Sequence, residues 1–247
     1  MWVLLASFCL MSCVTTQTTK NELTVSSAIS LKEALNDIAI YFQKSNPATK
    51  ASLNFGASGE LAGQLNEGAP VDLFISAGQE QMKQLVQNEL IDNGSVETIA
   101  YNTLVVIATQ QGKYQQLEDL RNVQRLSIGN PQTVPAGEYA VDALRKANIY
   151  EQLAKEKKLV LAENARQILT YVDGGDVDAG IVYNTDAALS KESKVCYKLE
   201  PPFFSKIAYQ AGIVKNTAKQ TLARDFMRLL KSPDSQELFA RRGFLLQ

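Results

Sequence analysis

Short apolar segments and amphipathic stretches alternate along most of this chain. Leu23 to Val25, Ala51 to Phe55 and Asp72 to Ser76 have the length and apolar content of strands. The stretches between them repeat apolar residues three and four positions apart, as a helix with one buried face does. The clearest such stripe consists of Leu31, Leu35, Ile38 and Phe42. Ser30 followed three positions later by Glu33 predicts a capping box where this helix begins.

The second half of the chain continues the alternation. Its strand-like segments are Leu104 to Ala108, Leu126 to Gly129, Ala179 to Tyr183 and Lys206 to Val214. Strands that alternate with helices indicate mostly parallel sheets, and there are too many here for one small sheet. We therefore predict an α/β fold of two lobes, each a mostly parallel sheet flanked by helices. We expect residues 22–104 and 210–247 to form the first lobe and residues 105–209 the second, with a hinge of two strands and a cleft between them.

The N-terminal segment is typical of an exported protein. A mostly apolar run from Trp2 to Met11 has the length of a signal-peptide core and is too short to span a bilayer. It leads into Leu10-Met11-Ser12-Cys13, which resembles a bacterial lipobox. We expect residues 1–12 to be removed as a signal peptide, Cys13 to be lipidated, and residues 13–21 to form a flexible tether. An ordinary signal peptide cleaved nearby is the alternative.

Composition excludes several classes of function. The 247-residue chain has a formal net charge of −1 and no basic run, which argues against a nucleic-acid partner. It has no histidine, so the usual Ser-His and Cys-His nucleophile pairs and most zinc sites are absent. Its cysteines, Cys9, Cys13 and Cys196, lack the spacing of metal ligands. We therefore expect no cofactor and no resident metal site.

Several predicted strands end in small or polar residues just before a helix. Ser30, Ser58, Ala136 and Tyr183 occupy such positions. In open α/β sheets, ligands bind at the carboxyl ends of the strands. Helices that begin there offer unpaired backbone N–H groups and a positive dipole end, which suit an anion without Lys or Arg. Spacing alone leaves other roles open: a helix cap for Ser30, a turn residue for Ser58 and core packing for Tyr183.

Six segments of the sequence resemble one known family. They are SSAISLKEAL, FGASGELAGQL, GAPVDLFISA, IGNPQTVPAGEYAVDAL, AGIVYNTDA and FARRGFLL, and they cover nearly the whole chain after the tether. Together they are similar to the periplasmic molybdate-binding proteins, the solute-binding components of molybdate ABC transporters. The resemblance implies a two-lobed fold of the type II periplasmic-binding-protein kind. It also implies capture of molybdate or tungstate and delivery to an ABC permease. We expect a monomer that the lipid on Cys13 alone holds to the membrane.

The resemblance also implies which residues touch the oxyanion. Ser30 and Ser58 would donate their hydroxyl protons from the first lobe. Ala136 and Ala165 would donate backbone N–H groups from the second lobe, and Tyr183 would donate its phenolic proton. Molybdenum would be present only as the bound oxyanion, at the outer face of the membrane or in the periplasm.

Three other readings compete with this one. The first is an enzyme, since Gly56-Ala57-Ser58-Gly59-Glu60 approaches the nucleophile elbow G-x-S-x-G; however, Glu60 breaks the motif and no histidine is available to activate the serine. The second is a binding protein for another solute, such as sulfate, an amino acid or a sugar. The third is an envelope lipoprotein without a transport role. We expect no enzymatic activity.

Overall fold

The computed structural model of the protein describes residues 22–200, 203 and 207–246. In this part of the chain ten strands form two five-stranded sheets. The strands are β1 (Glu22–Ala28), β2 (Lys50–Gly56), β3 (Leu73–Ser76), β4 (Glu97–Asn102), β5 (Leu104–Thr109), β6 (Leu126–Gly129), β7 (Leu159–Ala162), β8 (Ala179–Tyr183), β9 (Ser193–Lys198) and β10 (Ile207–Ile213). The predicted signal peptide, lipidated Cys13 and tether lie outside the described residues.

Helices flank both sheets. They are α1 (Lys32–Ser45), α2 (Ser58–Asn66), α3 (Gln79–Gln87), α4 (Pro135–Lys146), α5 (Tyr150–Lys155), α6 (Ala165–Asp173), α7 (Asn184–Ala187), α8 (Gln220–Leu230) and α9 (Pro233–Arg241). We call the first sheet with α1, α2, α3, α8 and α9 the first lobe. The second sheet with α4 to α7 is the second lobe. No helix among the residues described is both long and apolar enough to cross a membrane.

The two sheets have the same internal arrangement. The first has the order β2-β1-β3-β10-β4, and the second has the order β7-β6-β8-β5-β9. In the first, β10 runs antiparallel to both of its neighbours, and β1 runs parallel to β2 and β3. In the second, β5 is the strand that runs against its neighbours. Four of the five strands in each sheet therefore share one direction, which confirms the predicted two-lobed α/β fold.

The chain passes between the sheets twice. It leaves the first sheet after Asn102 and enters the second at Leu104, and it returns between Lys198 and Ile207. The lobe limits predicted at residues 104 and 210 therefore fall inside β5 and β10. As limits of independent domains they stay a prediction.

Apolar side chains hold the helices to the sheets, as the spacing on α1 predicts. Leu35, Ile38 and Phe42 are buried, and the Phe42 ring meets the Phe226 ring of α8 edge-on, with 5.1 Å between centroids. Burying such a side chain contributes about 1.5–3 kcal/mol. Packing against α8 therefore holds α1, the helix that follows Ser30, in position.

Candidate functional site

One small cavity lies where the strand ends of the two lobes meet. Four of the five predicted site residues line it: Ser30, Ser58, Ala165 and Tyr183. Ala136 is not among the lining residues, although the two residues before it, Val134 and Pro135, are. The cavity has a volume of about 10 Å³, which is room for about one water molecule. None of the described residues that line it carries a charged side chain.

The Ser30 hydroxyl belongs to a buried hydrogen-bond chain. Its Oγ lies 2.8 Å from Oη of Tyr209, and Nδ2 of Asn102 donates to the same Oη at 3.3 Å. The amide of Asn102 is oriented by Thr103, whose backbone N–H donates to Oδ1 at 2.9 Å. Either hydroxyl can donate across the Ser30–Tyr209 contact, because the Tyr209 oxygen keeps a second lone pair after it accepts from Asn102. When Tyr209 donates to Ser30, the Ser30 proton is available to an acceptor in the cavity.

The capping box predicted from Ser30 and Glu33 is wrong. Ser30 lies in a 3₁₀ turn that precedes α1, and no side chain caps either helical segment. Each of the two side chains has another partner, Tyr209 for Ser30 and Arg166 for Glu33. These long-range contacts replace the local cap that the spacing favours.

Ser58 is also arranged to donate a proton. It is buried, it begins α2, and its Oγ accepts a hydrogen bond from the backbone N–H of Ala77 at 3.1 Å. That bond holds the oxygen in place without using the hydroxyl proton. As the first residue of a helix, Ser58 also has a backbone N–H without an acceptor inside the helix.

The second lobe contributes helix N-termini. Ala136 lies in the first turn of α4 and Ala165 begins α6, where backbone N–H groups have no acceptor inside the helix. Gly137 allows α4 to approach β6 closely, since a Cβ at this position would lie 2.0 Å from the carbonyl oxygen of Gly129. Both helix starts present the positive end of the helix dipole, which favours an anion nearby.

Tyr183 has a buried hydroxyl that lacks a partner. Its side chain is buried at the end of β8, and its Oη makes no hydrogen bond within the described part of the chain. Burial, with smaller contributions from Tyr209 and Tyr139, raises the pKa of the Tyr183 phenol well above its ordinary value, so the group stays protonated. Leaving such a donor unsatisfied costs about 1–3 kcal/mol. A ligand acceptor in the cavity would remove that cost.

An ion-pair cluster lies beside the cavity rather than in it. The Arg166 guanidinium pairs with the carboxylates of Glu33 and Asp186. Asp186 is fully buried, and burial raises its pKa to about 6 although Arg166 acts to lower it. The pKa of Glu33 is lowered overall; burial acts to raise it, but its bond to Arg166 outweighs that effect. The positive charge of Arg166, which follows the cavity residue Ala165 in the chain, is thus engaged by two acidic groups.

Sequence reasoning missed Tyr209, Asn102 and the Arg166 cluster. Tyr209 and Asn102 are polar side chains inside strands, and their contacts join segments that are far apart in the chain. A buried polar group in a strand is indistinguishable from an exposed one until the sheet is assembled. No local spacing in the sequence points to either residue.

The chain is similar to known proteins over nearly its whole described length. Residues 23–245 match the family model described as bacterial extracellular solute-binding protein. The chain is 35% identical over 236 residues to the molybdate-binding protein ModA of Escherichia coli (strain K12), covering 92% of this chain and 90% of that protein. It is 33% identical to a Bacillus subtilis (strain 168) protein with the provisional name ABC transporter substrate-binding lipoprotein YvgL, over 91% of this chain and 86% of that one.

A solved structure shows the same fold. The periplasmic molybdate-binding protein of Azotobacter vinelandii superposes with a TM-score of 0.80 over 91% of this chain and 99% of that chain, at 24% identity. The similarity to molybdate-binding proteins expected from the six segments is confirmed. Because the family model matches residues 23–245, the chain belongs to the bacterial extracellular solute-binding proteins.

Proposed function

We propose that this protein captures molybdate or tungstate outside the cytoplasmic membrane and delivers it to an ABC permease. The observation that carries the proposal is the Tyr183 hydroxyl, which has no partner among the described residues and lines the same cavity as Ser30 and Ser58. A buried cavity of donors without charged side chains suits an anion that brings its own negative charge. The molybdate-binding relatives support the choice of ion.

The proposed ligand set has five members: Ser30, Ser58, Ala136, Ala165 and Tyr183. Three would donate from side chains and two from backbone N–H groups. Hydrogen bonds to a charged group contribute about 1.5–3 kcal/mol each, so five would give roughly 8–15 kcal/mol before the costs of dehydration and closure. A micromolar complex needs about 8 kcal/mol. Neutral donors are therefore sufficient to bind a dianion.

A cavity made of donors should also discriminate by protonation state. An anion that carries a proton near neutral pH, as phosphate partly does, would bury that proton opposite donors with no acceptor for it. Molybdate, tungstate and sulfate carry no such proton. Sulfate differs from the metal oxyanions mainly in size, so the width of the closed cleft would decide between them.

Location, partners and lobes complete the proposal. The extracellular family and the lipoprotein relative support an exported protein, lipid-anchored at Cys13 after removal of residues 1–12. We further propose a monomer that acts as a carrier, not as an enzyme. Its lobes would comprise residues 22–104 with 210–247, and residues 105–209.

Calorimetric titration would test the ligand. Protein lacking the first twenty residues would be titrated with molybdate, tungstate, sulfate and phosphate at one pH and salt concentration. The proposal expects submicromolar binding of molybdate and tungstate with one ion per chain, and binding at least about 100-fold weaker for sulfate and phosphate. Equal affinity for sulfate would indicate a sulfate carrier. Absence of any heat with all four ions would favour an envelope lipoprotein without this transport role.

A further inference from the structure

Arg166 joins the two lobes at the edge of the cavity. From α6 of the second lobe, its Nη1 lies 3.1 Å from Oε1 of Glu33, and its Nη2 contacts the other oxygen of the same carboxylate. Glu33 belongs to α1 of the first lobe. The two parallel bonds have the fork geometry in which guanidinium and carboxylate interact most strongly.

The same guanidinium is anchored inside its own lobe. Its Nε donates to Oδ1 of Asp186 at 2.6 Å, and the Asp186 side chain has no exposed surface. Arg166 is therefore held in position from behind by a buried carboxylate, while its outer face reaches across to Glu33. Because Asp186 already restricts the Arg166 side chain, Arg166 loses little conformational entropy when it pairs with Glu33 across the lobes.

Each member of this cluster is close in sequence to a proposed ligand residue. Glu33 follows Ser30 by three positions on one helical segment. Arg166 follows Ala165 directly at the start of α6, and Asp186 lies within α7, which begins just after Tyr183. Forming the Glu33–Arg166 pair therefore brings three ligand-bearing segments into a fixed arrangement.

No other ion pair in the described part of the chain crosses between the lobes. The remaining salt bridges each lie within one lobe. The side chains of Arg166 and Glu33 are 23% and 29% exposed, so solvent screens this pair less than a fully exposed one. One ion pair thus links the lobes, beside a hydrogen bond from the Gln81 amide to the Glu138 carboxylate at 2.7 Å.

We propose that Arg166 is a positioning residue for oxyanion capture, and that its pair with Glu33 latches the lobes together over the bound ion and slows the ion's release. The inference rests on the proposed function. An interaction made only in the closed state shifts the open–closed equilibrium by its own free energy. The cavity has room for about one water molecule, so holding and releasing a larger oxyanion requires the lobes to move apart, which would break this pair.

The test compares two substitutions on the same helix. Glu33→Gln removes the carboxylate charge that crosses the cleft and leaves the Arg166–Asp186 pair intact. Asp37→Asn is the matched control, because Asp37 of α1 pairs with Arg242 within the first lobe and is 34% exposed. The protein would be loaded with radioactive molybdate and mixed with excess unlabelled molybdate. The loss of radioactivity from the protein with time then gives the dissociation rate.

We expect Glu33→Gln to release molybdate about tenfold faster, the equivalent of losing one charge-assisted interaction, with a ligand-free melting temperature close to that of the wild type. Asp37→Asn should stay within about twofold of the wild-type rate. An unchanged rate in Glu33→Gln, or equal acceleration in both variants, would overturn the latch. If the wild type binds no oxyanion, that result contradicts the proposed function itself, and with it the latch.

A second measurement separates a latch from a general structural role. In an Arg166→Gln background, Glu33→Gln should change the dissociation rate by less than about twofold, since its partner is already gone. Independent, additive effects of the two substitutions would contradict direct coupling. If Arg166→Gln does not fold, the comparison of Glu33→Gln with Asp37→Asn still decides the question.

Discussion

The hydroxyl oxygens of Tyr209 and Ser30 lie 2.8 Å apart, although 179 positions separate the two residues in the chain. Tyr209 belongs to β10, the strand with which the chain returns to the first sheet. Ser30 lies two residues after the end of β1 and lines the cavity. The strand that closes the first lobe therefore also orients a proposed ligand hydroxyl.

Replacing Tyr209 with Phe should weaken oxyanion binding without disturbing the fold. Ser30 would lose the hydrogen-bond partner that holds its hydroxyl in place, and Asn102 would lose one acceptor. A neutral hydrogen bond contributes about 0.5–1.5 kcal/mol, so calorimetry should show an affinity for molybdate about two- to tenfold lower. Tyr41→Phe, at an exposed position on α1, is the control and should leave the affinity unchanged. Equal affinities for both variants would remove Tyr209 from this role.

Tyr183→Phe should separate binding from stability. The variant loses a donor to the ion, which should cost roughly 1–3 kcal/mol of binding free energy. The ligand-free protein should be as stable as the wild type or more so, because the phenol that is removed has no partner within the described residues. Titration and thermal melting of the ligand-free protein give the two values. A destabilised ligand-free variant with normal affinity would indicate a packing role instead.

Combined replacement of Ser30 and Ser58 with Ala should remove most of the affinity. Both hydroxyls line the cavity and are held in place by other groups, Ser30 by Tyr209 and Ser58 by the N–H of Ala77, so both can donate to an ion there. Losing two donors to a charged ion should cost roughly 3–6 kcal/mol, which is at least about 100-fold in affinity. Circular dichroism would check the fold of the double variant. Tight binding that persists in it would place the oxyanion site elsewhere.

Gly59 should permit closure of the cleft. It lies in α2 of the first lobe, and its N–H donates to the carbonyl oxygen of Thr133 in the second lobe at 2.9 Å. A Cβ at this position would lie 2.6 Å from that oxygen, which is backbone and cannot turn aside. Gly59→Ala should therefore weaken molybdate binding at least about tenfold by holding the lobes apart.

The matched control lies four residues further along the same helix. A Cβ at Gly63 would meet no atom within 4 Å. Since Ala is favoured over Gly in a helix, both variants should be more stable without ligand, by up to about 1 kcal/mol, and only Gly59→Ala should bind more weakly. Weaker binding by Gly63→Ala to the same extent would show that helix rigidity, not closure, is responsible.

The limits of sequence reasoning follow from how strongly each element is buried. The strands at the centres of the sheets, such as β5 and β8, have uninterrupted apolar runs, and the alternation predicts them. The strands without a clear signal, β4, β7 and β9, all lie at sheet edges. β9 has no buried residue, and its sequence SKVCYK therefore has no apolar pattern to detect. An edge strand is defined by a neighbour that the local sequence does not reveal.

The same reasoning applies to the cavity. Ser30, Ser58 and Tyr183 could be predicted because each lies at or within two residues of a strand end, which is a local feature. Tyr209 and Arg166 could not, because what matters in each case is a partner on another element. Ala136 is placed at a helix start as expected, yet the cavity reaches Pro135 and not Ala136. Its contact with the ion stays a prediction.

Asp186 should make the stability of the protein depend on pH in an unusual direction. Its pKa is raised from 3.8 to about 6, chiefly by burial, while Arg166 acts in the opposite sense and Glu33 adds a small repulsion. The folded protein therefore holds a proton more tightly than the unfolded chain between about pH 4 and pH 6. Protonation favours the folded state in this window, so the contribution of Asp186 to stability should increase as the pH falls from 7 to 5.

Asp186→Asn removes this titration. Between pH 7 and pH 5 the unfolding free energy of the wild type should rise by about 1 kcal/mol relative to that of the variant, measured by urea denaturation without ligand. Glu33 has a lowered pKa, so its own loss of stability begins only as the pH falls below its ordinary value of 4.5. Working above pH 5 separates the two carboxylates. If the two proteins show parallel profiles from pH 7 to pH 5, Asp186 does not titrate there, and Arg166 keeps it ionised throughout.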